Sequence, residues 1–171
     1  HEKYADYKGT RKGMPEELAE QMPILKEILR SMNIAILEKE GYEADDIIGT
    51  VVKKAEENNI ASIILTGDKD SLQLISELTE VYLTKKGISQ TQKMDLAALA
   101  EEYGLNPAQI CDLKGLMGDS SDNIPGVAGI GPKTATDLLL KFGSLDGIYE
   151  NLDDPQIKAG VRKKLESGKE S

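Results

Sequence analysis

Residues 117–135 read MGDSSDNIPGVAGIGPKTA, and the fold turns on what flanks these glycines. The pattern before them, Pro107–Met117, is helical, and so is the pattern after them, Pro132–Phe142, which Gly143 closes. A phosphate-binding loop of the form GxxxxGK[ST] needs Lys directly after Gly131, but Pro132 stands there, ahead of Lys133 and Thr134. The dinucleotide pattern GxGxxG fails at Thr134, and no strand precedes either pattern. Helix, tight glycine turn and helix remain. Gly129 and Gly131 can take positive φ and let a backbone come close, and Pro132 is expected to open the second helix. Amides around Gly129–Lys133 would then face outward at a helix N-terminus, a place that suits a phosphate, with Lys133 adding charge. Taken alone, the segment is equally well explained as an ordinary helix–helix connection.

Upstream the character is different. Residues 1–13 carry a net charge of +2, and Gly9 and Gly13 weaken any helix there, so a mobile segment is expected. From Glu16 to about Met32 apolar residues recur every three or four positions, which predicts an amphipathic helix. Ile34–Leu37 reads as a buried strand. Ala44–Asn58 reads as a helix with Ile47, Ile48, Val51, Val52 and Ala55 on its core face, and Ala61–Thr66 as a second buried strand. A short helix is expected at Leu72–Ile75, and Val81–Thr84 with Ile88–Thr91 form a candidate hairpin around Lys85-Lys86-Gly87. Leu96–Tyr103 reads as a helix ended by Gly104, and Pro155–Ser167 as a last helix, with residues 158–169 summing to +4. Alternating strand and helix predict an α/β front, residues 1–94, with a mainly parallel sheet; residues 95–171 form a helical back.

Carboxylates gather where elements begin or end. Glu43, Asp45 and Asp46 (GYEADD) open a helix, where the dipole favours acids. Asp68 and Asp70 (TGDKD) follow the strand ASIILT, beyond the carboxyl end where ligand sites of parallel sheets lie. Asp119 and Asp122 end a helix. Each cluster alone is better read as caps and turn residues. Three clusters in one small domain shift the balance: packed together, seven like charges would repel and their pKa values would rise unless cations neutralised them. An all-oxygen set points to Mg²⁺ or Mn²⁺. His1, the one histidine, is poorly placed to join it. A calcium loop starting at Asp68 fails, because its fifth and sixth positions are Leu72 and Gln73.

The chain has 171 residues, 30 acidic against 21 basic, and a net charge of −9. No apolar run approaches the ~18 residues of a membrane span. One cysteine, Cys111, excludes a disulfide framework and a Cys-based zinc site and suits a reducing, cytoplasmic setting. The acidity argues at first against a nucleic-acid partner. Without the seven clustered acids the balance is only −2, with positive charge segregated toward both ends.

GYEADD, TGDKD, LMGDSSDNIPGVAGIGPKTA and YKGTRKGMPEEL together resemble the flap endonuclease family of structure-specific 5′-nucleases, in its bacterial, polymerase-associated form. The resemblance runs from Tyr4 to about Asn151. It implies a PIN-like α/β nuclease core followed by a helix-hairpin-helix (H3TH) DNA-binding region. Glu43, Asp45, Asp46, Asp68, Asp70, Asp119 and Asp122 fall at the family's positions for a cluster holding two or more divalent ions. Lys8 and Arg11 match its basic arch or gateway segment, within residues 1–13. Gly126, Gly129, Gly131, Lys133 and Thr134 match its DNA-gripping hairpin, where a K⁺ ion is also implied. The implied activity is metal-dependent hydrolysis of DNA at 5′ ends and flaps, sequence-independent, by a monomer with a linked polymerase domain and no membrane. The family's first strand and two further Asp ligands would lie upstream of His1, so this chain alone is expected to cleave weakly or not at all. The alternatives are a non-catalytic module that binds DNA through its hairpin alone, and a related nuclease acting on RNA.

Overall fold

The front half is organised around β1, Ser62–Thr66. The structure, a computed structural model, describes residues 4, 6–85, 87 and 89–169. β1 pairs in parallel with β2, Thr79–Thr84, with Ser62 opposite Thr79. β2 pairs antiparallel with β3, Thr91–Met94, with Val81 opposite Met94. The three-stranded sheet is therefore mixed, in the order β1-β2-β3. β2 alternates as a half-covered strand must, burying Thr79, Val81 and Leu83 on one face. The helices α2 (Ala44–Glu57) and α3 (Leu96–Tyr103) and a 3₁₀ turn at Lys69–Leu74 build one core with it, through Val52, Ile64, Leu72, Ile75, Met94 and Leu99.

Several expectations shift here. The predicted hairpin forms, but its second strand is Thr91–Met94 rather than Ile88–Thr91. Lys85 N donates to Gln90 O at 2.9 Å, closing a longer loop; Ile88 lies outside the described residues. β1 is covered on one face only, and Ile63 and Leu65 are 69% and 65% exposed. Ile34–Leu37 is not a strand, and Ile34 and Leu37 are exposed. A strand needs a ladder partner, and among the described residues β1 pairs only toward β2. The helix expected from Glu16 is α1, Glu16–Ser31, yet none of its residues is buried: Leu18, Leu25 and Ile28 meet no core. Among the described residues, no helix is long and apolar enough to cross a membrane.

The helical half comprises α4 (Ala108–Met117), α5 (Pro132–Phe142), α6 (Leu145–Glu150) and α7 (Ala159–Ser167). Leu113, Leu116, Val127, Ile130, Leu138, Leu139, Ile148 and Leu165 form its core. Sequence reading missed α6, because six residues are too short to show a period; its start is marked by Ser144, whose side chain accepts from Gly147 N at 3.0 Å. α7 starts at Ala159, not Pro155, because Asp154 accepts from Gln156 N at 2.7 Å and holds that stretch as a turn. Gly104 closes α3 with φ +69°. Tyr103 packs against both cores, and Ile110 of α4 belongs to the first, so the halves interlock at α3 and α4.

Glu56 ties α2 to the sheet: Ser76 Oγ donates to its carboxylate, and so does the fully buried Thr79 Oγ1, at 2.7 Å. These bonds, Ser76 first, hold the Glu56 carboxyl below its usual value. Glu56→Ala strands the Thr79 hydroxyl and is expected to cost about 1–3 kcal/mol. The midpoint of urea unfolding measures it.

Candidate metal centre and nucleic-acid interface

Three chain reversals bring the acids together. At the end of β1, Asp68 caps the 3₁₀ turn: its Oδ1 accepts from Asp70 N at 3.0 Å. At the start of α2, Glu43 N donates to Asp46 Oδ2 at 2.9 Å in a capping box. After α4, Gly118 turns at φ +75°, and Asp119 and Ile124 exchange backbone bonds of 2.9 and 2.8 Å. That bridge sets Asp119, 9% exposed, and Asp122 beside Asp70. Glu43, Asp45, Asp46, Asp70 and Asp122 line an open cleft of about 430 Å³. Asp70, Asp119 and Asp122 each offer an oxygen within 4.8 Å of the others. Asp68 stands outside that lining, but its charge bears on Asp45. Asp46 and Asp68 also serve as plain caps, as the local reading allows.

The chain supplies its own cations. Lys114 Nζ lies 2.7 Å from Asp70 Oδ1 and also donates to Asp119. Lys8 donates to Glu43 and approaches Asp122 at 3.9 Å, and Arg11 donates to Asp122. The Tyr7 hydroxyl donates to Glu43 at 3.1 Å and lies 3.3 Å from Asp122. The segment expected to be mobile is instead a run of turns over residues 6–10, docked on the Asp119 loop. Lys8 N donates to Asp122 O at 2.8 Å, Asn123 Nδ2 to Asp6 O at 2.8 Å, and Arg11 Nε to Ser121 O at 3.3 Å. His1 lies outside the described residues.

These cations change the electrostatics from the crowding expected. Asp45 behaves as crowded acids should: burial, then the Asp68 charge, raises its pKa. Glu43 goes the other way, pulled down first by its hydrogen bond with Lys8. At Asp119 burial is the largest single effect and raises the pKa, but bonds from Lys114 and Ser121 outweigh it and hold the carboxyl far below the usual range. For Lys114 burial again acts first, downward, and the Asp119 and Asp70 carboxylates overcome it. Sequence reasoning missed Lys114 and Tyr7. Tyr7 sat beside Lys8 in the basic segment, but Lys114 offered only a basic residue in the last turn of a helix, a common dipole partner.

The glycine turn divides into structural and open positions. Gly126 crosses Gly118 so closely that a Cβ on it would lie 2.1 Å from Gly118 N. Gly129 adopts the positive φ open to it, +80°. Gly131 does not: its φ is −102°, the extended backbone of a residue preceding the helix that Pro132 opens. No side chain caps α5, which leaves its first amides facing outward beside the exposed Lys133 and the half-exposed Thr134. Lys164 Nζ donates to Gly129 O at 2.9 Å, so an ammonium of the chain meets the turn implied to hold K⁺.

A small α/β domain that gathers carboxylates at a strand end, continued by helices around a glycine turn, has the layout of a nuclease core joined to a nucleic-acid-binding helical fold. Residues 1–104 match the 5′-3′ exonuclease N-terminal resolvase-like domain, and residues 105–171 match the 5′-3′ exonuclease C-terminal SAM fold. The chain belongs to the 5′-3′ exonuclease family. It is 49% identical to DNA polymerase I of Bacillus caldotenax, over 90% of this chain and 18% of that protein. It is 42% identical to a 5′-3′ exonuclease of Mycoplasma pneumoniae, over 88% of this chain and 52% of that one. The chain thus spans under a fifth of the polymerase and about half of the exonuclease. Among solved structures, the T5 D15 protein co-crystallised with metal ions superposes with a TM-score of 0.81 at 26% identity, covering 99% of this chain and 66% of that one.

Proposed function

We propose that this chain is part of the nuclease unit of a DNA polymerase I, and that the full-length protein hydrolyses DNA at 5′ ends and flaps. The observation that carries this reading is the meeting, in one cleft, of carboxylates from three separate segments. An all-oxygen donor set of seven carboxylates, which Lys8, Arg11 and Lys114 neutralise only in part, fits Mg²⁺ or Mn²⁺, as does the T5 D15 protein's crystallisation with metal ions. Asp70, Asp119 and Asp122 would hold the first ion, and Glu43, Asp45, Asp46 and Asp68 would complete the set around any further one. When bound, such ions supply an activated water and stabilise charge on the leaving oxygen. Lys8 and Arg11, carried by the docked N-terminal turns at the cleft mouth, orient the scissile phosphate and offset its charge. Tyr7 holds Glu43 and Asp122 in place.

The turn before α5 would grip the duplex backbone: Gly129 and Gly131 allow a phosphate close, the free amides and Thr134 receive it, and Lys133 adds charge. Gly126 contributes by shaping the turn. Lys133→Ala in the full-length protein should weaken DNA binding equally across sequences and flatten the dependence of log K on log salt by about 0.9. Fluorescence anisotropy over a salt series reads both. The activity itself is tested with the full-length protein on a labelled 5′-flap duplex. Cleavage yielding 5′-phosphates with Mg²⁺ or Mn²⁺, and none in chelator, is expected. Metal-independent cleavage, or a preference for RNA, would overturn it.

A further inference from the structure

We propose that Lys114 is a built-in counter-ion that stands where a divalent metal must bind, so that metal entry requires the Lys114 ammonium to leave. The idea rests on the metal reading above. It starts from one geometric fact: the ammonium bridges Asp70 and Asp119, two of the three acids whose oxygens converge within 4.8 Å. Lys114 Nζ stands 2.7 Å from Asp70 Oδ1 as an ion pair, while that buried oxygen accepts no hydrogen bond. A Mg²⁺ ion would draw oxygens of the same two carboxylates to about 2.0–2.1 Å. Two cations held between the same pair of carboxylates repel each other at short range, so binding of the metal disfavours the ammonium.

The surroundings fit this role. Asp70 and Asp119 belong to segments nearly fifty residues apart, and Lys114 is the cation they share. Asp119 is otherwise fixed by the chain itself: Ser121 donates to its Oδ1 through N at 2.8 Å and Oγ at 2.6 Å. The carboxylate therefore keeps its position when the lysine moves. Lys114 is free to move, because its long side chain rises from the last turn of α4 and is already 32% exposed. The device keeps the acids from repelling one another in the metal-free protein and sets a threshold for metal. Once displaced, the ammonium is left at the rim of the cleft, where an incoming phosphate would meet it.

Two measurements test this, neither using activity. In the unmodified chain, acetylation of Lys114 by a water-soluble acetylating reagent, followed by mass spectrometry, should speed up at least threefold on addition of Mn²⁺, with Lys133 and Lys141 as unchanged references. An unchanged or slower rate at Lys114 under saturating Mn²⁺ would overturn the proposal. By calorimetry, Lys114→Met should bind Mn²⁺ at least tenfold more tightly than the unmodified chain, and Lys114→Arg no more tightly. Equal or weaker binding by a folded Lys114→Met, with binding by the unmodified chain intact, rejects the competition alone. Failure of the unmodified chain and both variants to bind Mn²⁺ rejects the metal reading with it. Should Lys114→Met lose its fold without metal, the acetylation rate in the unmodified chain decides.

Discussion

Asp119→Asn in the full-length protein is expected to reduce Mg²⁺-dependent flap cleavage by about a thousandfold while leaving flap binding within about twofold; metal ions supply several kcal/mol at the reacting centre, and each 1.36 kcal/mol is tenfold in rate. The substitution preserves the shape of the side chain, so the hydrogen bonds from Ser121 N and Oγ to Oδ1 survive. What goes is the negative charge that faces Lys114 and completes the trio with Asp70 and Asp122. Single-turnover cleavage and anisotropy, on the same flap, separate the two quantities. Equal loss of cleavage and binding would mean that Asp119 shapes the protein rather than holding a metal. The site also gives a pH expectation. With a folded-state pKa depressed below the ordinary 3.8, Asp119 adds stability above that value, and the contribution disappears as pH falls through the folded-state value.

Gly126→Ala is expected to destabilise the chain by about 3 kcal/mol, the upper end for overpacking. For a chain of this size that lowers Tm by roughly 6–12 °C. A Cβ on Gly126 would fall 2.1 Å from Gly118 N and 2.3 Å from the Met117 carbonyl carbon. Both are backbone atoms, and no side chain can swing aside. Relief requires parting the two strands of the loop, and the bridge from Asp119 to Ile124 lies between them. The metal trio should loosen with the fold. Gly13→Ala is the control: its Cβ would meet nothing within 4 Å, and the change should stay within about 0.5 kcal/mol. Differential scanning calorimetry of both variants gives the comparison; a Gly126→Ala protein as stable as the parent would show that the close crossing is not tight.

Features that depend on neighbours in sequence were legible. Gly104 and Gly143 end α3 and α5, Pro132 opens α5, and the carboxylates cluster at element ends because those places are defined locally. Features that depend on distant partners were not. Ile34–Leu37 has the composition of a strand, but composition cannot supply the second ladder that would bury it. The apolar period of α1 fixes its helix but says nothing of what it packs on. Lys114 looked like a routine C-terminal cation. Its importance appears only when the end of β1 and the loop after α4 meet, bringing Asp70 and Asp119 to one ammonium. The docking of residues 6–11 was hidden for a similar reason: glycines there suggested freedom, while the partners that hold the turns sit more than a hundred residues away.

The seven carboxylates as a divalent-metal centre are the core of the account, and a Mn²⁺ titration by calorimetry tests it most directly. The chain should bind Mn²⁺ saturably, and the Asp70→Asn/Asp119→Asn double variant, shown by circular dichroism to be folded, should not. Saturable binding of the same strength in the double variant, or none in the unmodified chain, would contradict it.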